Sequence, residues 1–213
     1  MGPNVDKLFL ELDGRPVVAH TWRVFERCKP IDQIVIVVRN GMQKAFEDLA
    51  RQHQFKKRFQ LVAGGEERQD SVWNGLEKLP PEAEIVAIQD AARPCTPQSL
   101  ITATIEAARE IGAAVAAQSV TDTIKESRDG RLVDRTLDRS RLWAVQTPQT
   151  FRVAVIRLAL EEARKRGLKL TDDTAACELI AQPVRLVLSQ LPNPKVTRRE
   201  DLPYVEAVLR DMA

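Results

Sequence analysis

Short runs of apolar residues alternate along this chain with longer stretches in which apolar residues return every three or four positions. Gln33–Val38, Phe59–Ala63, Glu84–Ile88, Ala113–Ala117 and Val184–Leu188 have strand length and are apolar at successive rather than alternate positions. Between them a helical period predicts helices near Met42–His53, Gln69–Leu79 and Pro97–Ile111. In the last of these, Ile101, Ile105 and Ala108 share a face, and Gly112 stands where a left-handed C-terminal cap is needed. A helix entering at Pro16 carries a Val18, Trp22 and Phe25 stripe. A final helix is predicted from Thr197, with Glu200 three residues on as a capping box. Strands apolar on both faces, alternating with helices, predict a three-layer, doubly wound, mainly parallel α/β sheet in one domain over residues 1–213.

Two places break the rhythm. Asp122–Lys125 and Arg131–Leu137 flank the turn pair Asp129-Gly130 and read as a β-hairpin, polar on both sides. Two strands alone are marginal, so this protruding arm, residues 120–142, is expected to lean on a second copy of the chain. At the other end, Leu8–Leu12 is too short and too close to the Pro16 helix to be a central strand.

Composition narrows the class. Of 213 residues, 44% are apolar, enough for a sizeable core. Charges are nearly balanced at a formal net of +2, which gives no basic footprint for nucleic acid. Lys56-Lys57-Arg58 reads as a solvated turn. The odd set Cys28, Cys95 and Cys177 has no metal-ligand spacing and points to a reduced, cytoplasmic protein. No apolar run approaches the length of a membrane span, and Met1-Gly-Pro-Asn does not open a signal peptide.

In open parallel sheets a ligand lies beyond the carboxyl ends of the strands. Gly64-Gly65, Asp90, Thr123 and Lys195 all fall there. Each also has a plainer reading. Gly64-Gly65 can be an ordinary turn, Asp90 and Arg93 a structural ion pair, and Ser71 or Thr171-Asp-Asp173 helix caps. His20 and His53 lie in helical patterns without triad partners and are read as non-catalytic. Cys95 follows Arg93-Pro94 but has nothing to activate a thiolate. Together Asp90, Arg93, Arg139 and Lys195 form a cationic set with one carboxylate. That suits phosphoryl or nucleotidyl transfer, where positioning and charge neutralisation supply most of the rate, and not acyl transfer.

Six segments then carry a resemblance. They are Gly64-Gly-Glu-Glu-Arg-Gln-Asp-Ser-Val72, Asp90-Ala-Ala-Arg-Pro94, Val120-Thr-Asp-Thr-Ile-Lys125, Leu142-Trp-Ala-Val-Gln-Thr-Pro-Gln149, Leu170-Thr-Asp-Asp173 and Asn193-Pro-Lys-Val-Thr-Arg-Arg-Glu-Asp-Leu202. In this order, across nearly the whole chain, they resemble the 2-C-methyl-D-erythritol 4-phosphate cytidylyltransferase family of the non-mevalonate isoprenoid pathway. The resemblance implies a nucleotide-diphospho-sugar transferase-like fold and attack of the alditol phosphate on the α-phosphorus of CTP. Mg²⁺ would travel on the triphosphate, with no protein metal ligand assigned. It implies Lys7 as the transition-state stabiliser, and Arg139 and Lys195 as the cations that position the substrate phosphate. Asp90, Arg93, Thr123 and Thr171 would surround the sugar-alcohol, and Gly64, Gly65 and Ser71 the cytidine. The arm would make a homodimer and carry Arg139 into the neighbour's site. Gln89 stands where the family more often has histidine. The family also places a strand and an Ala-Ala-Gly-x-Gly-x-Arg loop just ahead of the position of Met1. From this the chain as given is expected to hold half of a CTP site and to be feebly active. Two other readings stay open at this stage: a cytidylyltransferase for another alditol phosphate such as ribitol 5-phosphate, and a non-catalytic dimeric remnant.

Overall fold

A computed structural model describes residues 7–212. Six strands form the body of the fold: β1 (Gln33–Val38), β2 (Arg58–Ala63), β3 (Ile85–Ile88), β4 (Ala113–Ser119), β5 (Trp143–Arg152) and β6 (Arg185–Leu188). The helices are α1 (Val17–Arg27), α2 (Gln43–Gln52), α3 (Arg68–Leu76), α4 (Gln98–Ile111), α5 (Val153–Lys165), α6 (Thr174–Glu178) and α7 (Leu202–Asp211). The α/β alternation expected from the apolar runs is therefore present, and five of the strands lie where those runs lie.

Four strands pair in the order β6-β4-β5-β3. β4 and β6 are parallel, while β5 runs antiparallel to both of its neighbours. β1 and β2 form a separate parallel pair. Among the described residues no ladder joins β1 to β3. Their facing edges, Ile34–Val37 and Ile85–Ile88, instead border a cleft of about 780 Å³. Trp22 and Phe25 of α1 line it, as do Val72, Gly75 and Leu76 of α3. This explains why β1 is only half-buried for most of its length although it is apolar from Ile34 onward.

Helix faces cover the sheet as their periods require. On α4, Leu100, Ile101, Thr104, Ile105, Ala107 and Ala108 are buried. Gly112 ends that helix at φ 102° and returns its N–H to Ala108 O at 2.8 Å, the positive-φ cap that a glycine permits. On α1, Trp22 stacks on Phe55 with ring centroids 4.6 Å apart and meets Phe59 edge-on at 5.0 Å.

Several local expectations are corrected. The final α-helix begins at Leu202, not Thr197. Asp201, rather than Glu200, accepts from Thr197 N, Thr197 Oγ1 and Arg198 N at 2.7–2.8 Å, so the turn before the helix is pinned first. Lys57 is not solvated. Its ammonium donates to Phe25 O, Cys28 O and Ile31 O, capping the C-terminal end of α1 where cations are favoured. The arm pairs over a shorter ladder than expected, Lys125 with Thr136 and Glu126 with Arg135. Its turn closes on Asp129, whose carboxylate accepts from Arg131 N and Leu132 N, with Gly130 at φ 68°.

Candidate functional site

The carboxyl end of β3 runs into Gln89 and Asp90, and three loops converge there. Asp90 Oδ2 accepts from Lys195 Nζ at 2.9 Å and, more weakly, from Arg93 Nε at 3.4 Å. Burial alone would push the Asp90 carboxyl up, but Lys195 and then Arg93 outweigh it and hold its pKa below the usual carboxylate value. Asp90 is thus a fixed anion in a cationic frame. The structure brings together Asp90, Arg93 and Lys195, which lie more than a hundred positions apart at the extremes.

Polar side chains hold that frame from below. Arg93 Nη1 donates to Asn193 O at 2.6 Å, so the guanidinium ties the loop after β3 to the loop that carries Lys195. Asn193 is 1% exposed; it donates to Thr147 O and Gln146 Oε1 and accepts from Thr96 Oγ1. Asp90 N donates to Thr147 Oγ1 at 3.1 Å, just before the cis bond between Thr147 and Pro148. Val196 N reaches Ala92 O at 2.8 Å. Arg93 is therefore chiefly a structural tie, the plainer of the two readings open to it.

Lys7 opens a short 3₁₀ turn over Lys7–Phe9. The next residue, Leu8, packs on the clusters that hold Ala91 and Ala92, which places the turn beside the Asp90 loop. On the other flank, Gly64 and Gly65 lead from β2 into α3, and Gly65 N donates to Ser71 Oγ at 3.1 Å. A Cβ on Gly65 would fall 2.3 Å from Asp70 Cβ, so the close backbone approach requires glycine here.

Thr171 is exposed on the loop before α6, and Thr123 is exposed at the root of the arm. Among the described residues no hydrogen bond joins either to Asp90 or Lys195. Arg139 is exposed and donates to Thr121 O at 2.5 Å, at the base of its own arm. The cap before α6 is Asp172, which accepts from Ala175 N at 2.9 Å and from Thr174 Oγ1 at 2.7 Å. Asp173 does something the sequence did not disclose. Its carboxylate, 1% exposed, takes both guanidinium nitrogens of Arg68 at 2.6 and 2.7 Å. The glycine motif located the residues around Arg68, but nothing in the spacing pointed to a partner so far along the chain.

The remaining candidates fall away. Burial pushes the Cys95 and Cys177 thiols up to about 12, so neither is a thiolate, and all three cysteines are free and buried. His20 Nε2 donates to Leu12 O at 2.6 Å, and burial lowers its pKa, as it does that of His53. Among the described residues there is no cluster of three side chains able to hold a metal. Among the described residues Asp90 is the carboxylate paired with Lys195. One carboxylate fits a Mg²⁺ carried mainly by phosphate oxygens and water, and does not fit an all-protein cage. No helix among the described residues is long and apolar enough to cross a membrane.

Residues 1–211 match the family model described as IspD, 2-C-methyl-D-erythritol 4-phosphate cytidylyltransferase. A protein of that name from Geobacillus kaustophilus is 44% identical over 209 residues, covering 98% of this chain and 91% of its own length. Another, from Desulforamulus reducens, is 41% identical over 211 residues, covering 99% and 90%. Among solved structures, the 4-diphosphocytidyl-2C-methyl-D-erythritol synthase of Anaerococcus prevotii superposes with a TM-score of 0.88 at 31% identity, over 95% of this chain and 93% of that one. The Thermus thermophilus cytidylyltransferase gives 0.81 at 30% identity, over 96% and 94%.

Proposed function

The chain belongs to the 2-C-methyl-D-erythritol 4-phosphate cytidylyltransferase family, and from that premise we infer how its site works. It transfers a cytidylyl group from CTP to 2-C-methyl-D-erythritol 4-phosphate, releasing pyrophosphate, in isoprenoid precursor biosynthesis. A phosphate oxygen of the alditol phosphate forms the new bond to the α-phosphorus. The bond from that phosphorus to the β-phosphate bridging oxygen breaks in line, and its electron pair leaves with pyrophosphate. The full-length family match carries this reading and favours it over another alditol phosphate or a non-catalytic dimer.

The residues take their roles from charge and place. Lys195, held 2.9 Å from Asp90, would present its ammonium to the substrate phosphate. Asp90 keeps that ammonium aimed and offers an oxygen to the alditol hydroxyls. Thr171 and Thr123 offer further hydroxyls from the two flanking loops. Gly64, Gly65 and Ser71 would meet the cytidine, and Lys7 the charge that builds on the α-phosphate. Asp90 would be the side chain to hold a magnesium ion bound with CTP, which would supply neutralisation of triphosphate charge. Arg139 would serve the site of a second subunit in a homodimer joined by the 120–142 arm. The three free, buried cysteines fit a reducing cytoplasm.

The test is pyrophosphate release from CTP with 2-C-methyl-D-erythritol 4-phosphate and, separately, with ribitol 5-phosphate. Preference for the first is expected. Equal or greater use of the second would overturn the substrate assignment. Lys195→Ala should lower kcat/KM for the alditol phosphate by about tenfold or more with CTP affinity largely kept, because one charge-assisted contact is lost.

A further inference from the structure

The loop that leads into α3 and the loop that leads into α6 are about a hundred residues apart in sequence, yet they are stitched together. Lys169 Nζ pairs with Glu67 Oε1. Gln69 Nε2 donates to Leu168 O at 3.0 Å, and Gln69 Oε1 accepts from Leu170 N at 2.9 Å. Innermost is the two-pronged pair of Arg68 with Asp173. These contacts differ in weight. Lys169 and Glu67 are 80% and 50% exposed, so their pair contributes little. Asp173 is almost wholly enclosed, and burying a carboxylate is costly unless every oxygen is answered. Burial does push the Asp173 carboxyl above the usual range; Arg68 opposes that rise without cancelling it.

The pair is also wired toward Asp90. Asp173 N donates to Gln149 Oε1 at 2.9 Å, and Gln149 Nε2 donates to Asp172 Oδ2 at 3.0 Å. Gln149 lies two residues after Thr147, whose hydroxyl accepts from Asp90 N. One continuous path of hydrogen bonds and backbone therefore runs from the start of α3, through Asp173 and the middle of β5, to the backbone N–H of Asp90. The loop with Gly64 and Gly65 lies at one end of it, and Thr171 sits beside its centre.

We propose that Arg68 and Asp173 are positioning residues that couple the two substrate sites, holding the Thr171 loop in register with the Gly64–Gly65 loop so that each ligand strengthens binding of the other. The inference rests on the reaction proposed above. A fork-shaped guanidinium suits this role because it fixes both distance and angle to a carboxylate, which a lysine ammonium does not. A merely structural brace would lower stability when cut and leave the two binding equilibria independent.

The experiment measures affinity for α,β-methylene-CTP, which cannot turn over, with and without saturating 2-C-methyl-D-erythritol 4-phosphate. It uses the wild-type chain, Arg68→Lys and Asp173→Asn, each checked for folding by circular dichroism; either variant suffices if the other does not fold. The wild type should bind the analogue about fivefold tighter, or more, when the alditol phosphate is present. In the variants that ratio should fall toward one, while each ligand alone binds within about threefold of wild type, a difference worth under ~0.7 kcal/mol. A wild-type ratio of one, or an unchanged ratio in a folded variant, overturns the coupling and leaves the reaction standing. A wild-type chain that binds the alditol phosphate neither alone nor together with the analogue overturns the reaction and the coupling with it.

Discussion

Asp90 shows how one carboxylate can be held charged at a half-buried position. Its folded pKa lies below the usual aspartate range because Lys195 and Arg93 outweigh the effect of burial. A depressed acid pKa contributes stability that is fully present above the unfolded value and is lost as pH falls through the folded one. Urea unfolding should therefore show wild type exceeding Asp90→Asn by a constant margin above about pH 5, shrinking at lower pH. A margin that grows on acidification would mean the pKa is raised instead. Single residues were legible to the extent that local geometry announced them. Asp90 and Lys195 each follow a strand, and Gly65 stands where a side chain would strike Asp70. Arg68 and Asp173 were not legible as a pair, because 105 positions separate them and only the fold brings them together.

Among the elements, α4 is joined to the sheet by a buried hydroxyl relay as well as by apolar contact. Thr150 of β5 donates to Thr104 at 3.0 Å, and Thr104 donates in turn to Ile101 O at 2.9 Å; both side chains are 0% exposed. Thr104→Val leaves the Thr150 hydroxyl without its acceptor and should cost ~1–3 kcal/mol. The double change Thr104→Val with Thr150→Val should cost less than the sum of the singles by ~0.5 kcal/mol or more, read from chemical denaturation. Strict additivity would show that the hydroxyls act independently. The same strand explains a limit of sequence reading. β5 was not expected because Gln146, Thr147, Pro148 and Gln149 interrupt its apolar residues, and a proline argues against a central strand. Its polar side chains are buried to make hydrogen bonds, which inverts the usual pattern. α5 begins at Val153 directly after β5, so no turn residues separated the two.

For the whole molecule the open question is what the arm does. Leu132 and Val133 on it are 74% and 61% exposed, and Trp143 and Val145 at the start of β5 are also uncovered. Apolar side chains left uncovered in this way would be covered by the second subunit proposed above. If Arg139 acts in the neighbouring subunit, an Arg139→Ala chain mixed with a Lys195→Ala chain should regain activity, because one site in each mixed dimer then holds both cations. Activity equal to the mean of the separate variants would place both cations in the same subunit. The arm itself was legible from Asp129-Gly130 and from the charged and polar residues that dominate the sequence around it. The antiparallel insertion of β5 was not, since strand order depends on contacts that no local period encodes.

The cleft between β1 and β3 has a consequence for how the amides of β1 meet solvent. Gly64 N donates to Val38 O, so Val38 faces β2, and the backbone direction reverses at every residue. Ile34, Ile36 and Val38 thus point their N–H groups into the β1–β2 ladder, whereas Val35 and Val37 point theirs into the cleft. Hydrogen–deuterium exchange under native conditions should follow that alternation, with Val35 and Val37 losing protons well ahead of their neighbours. Uniform protection across the five would mean that the cleft is closed in solution. A strand flanked by elements on both sides would then carry, at every second amide, the exchange signature of a sheet edge.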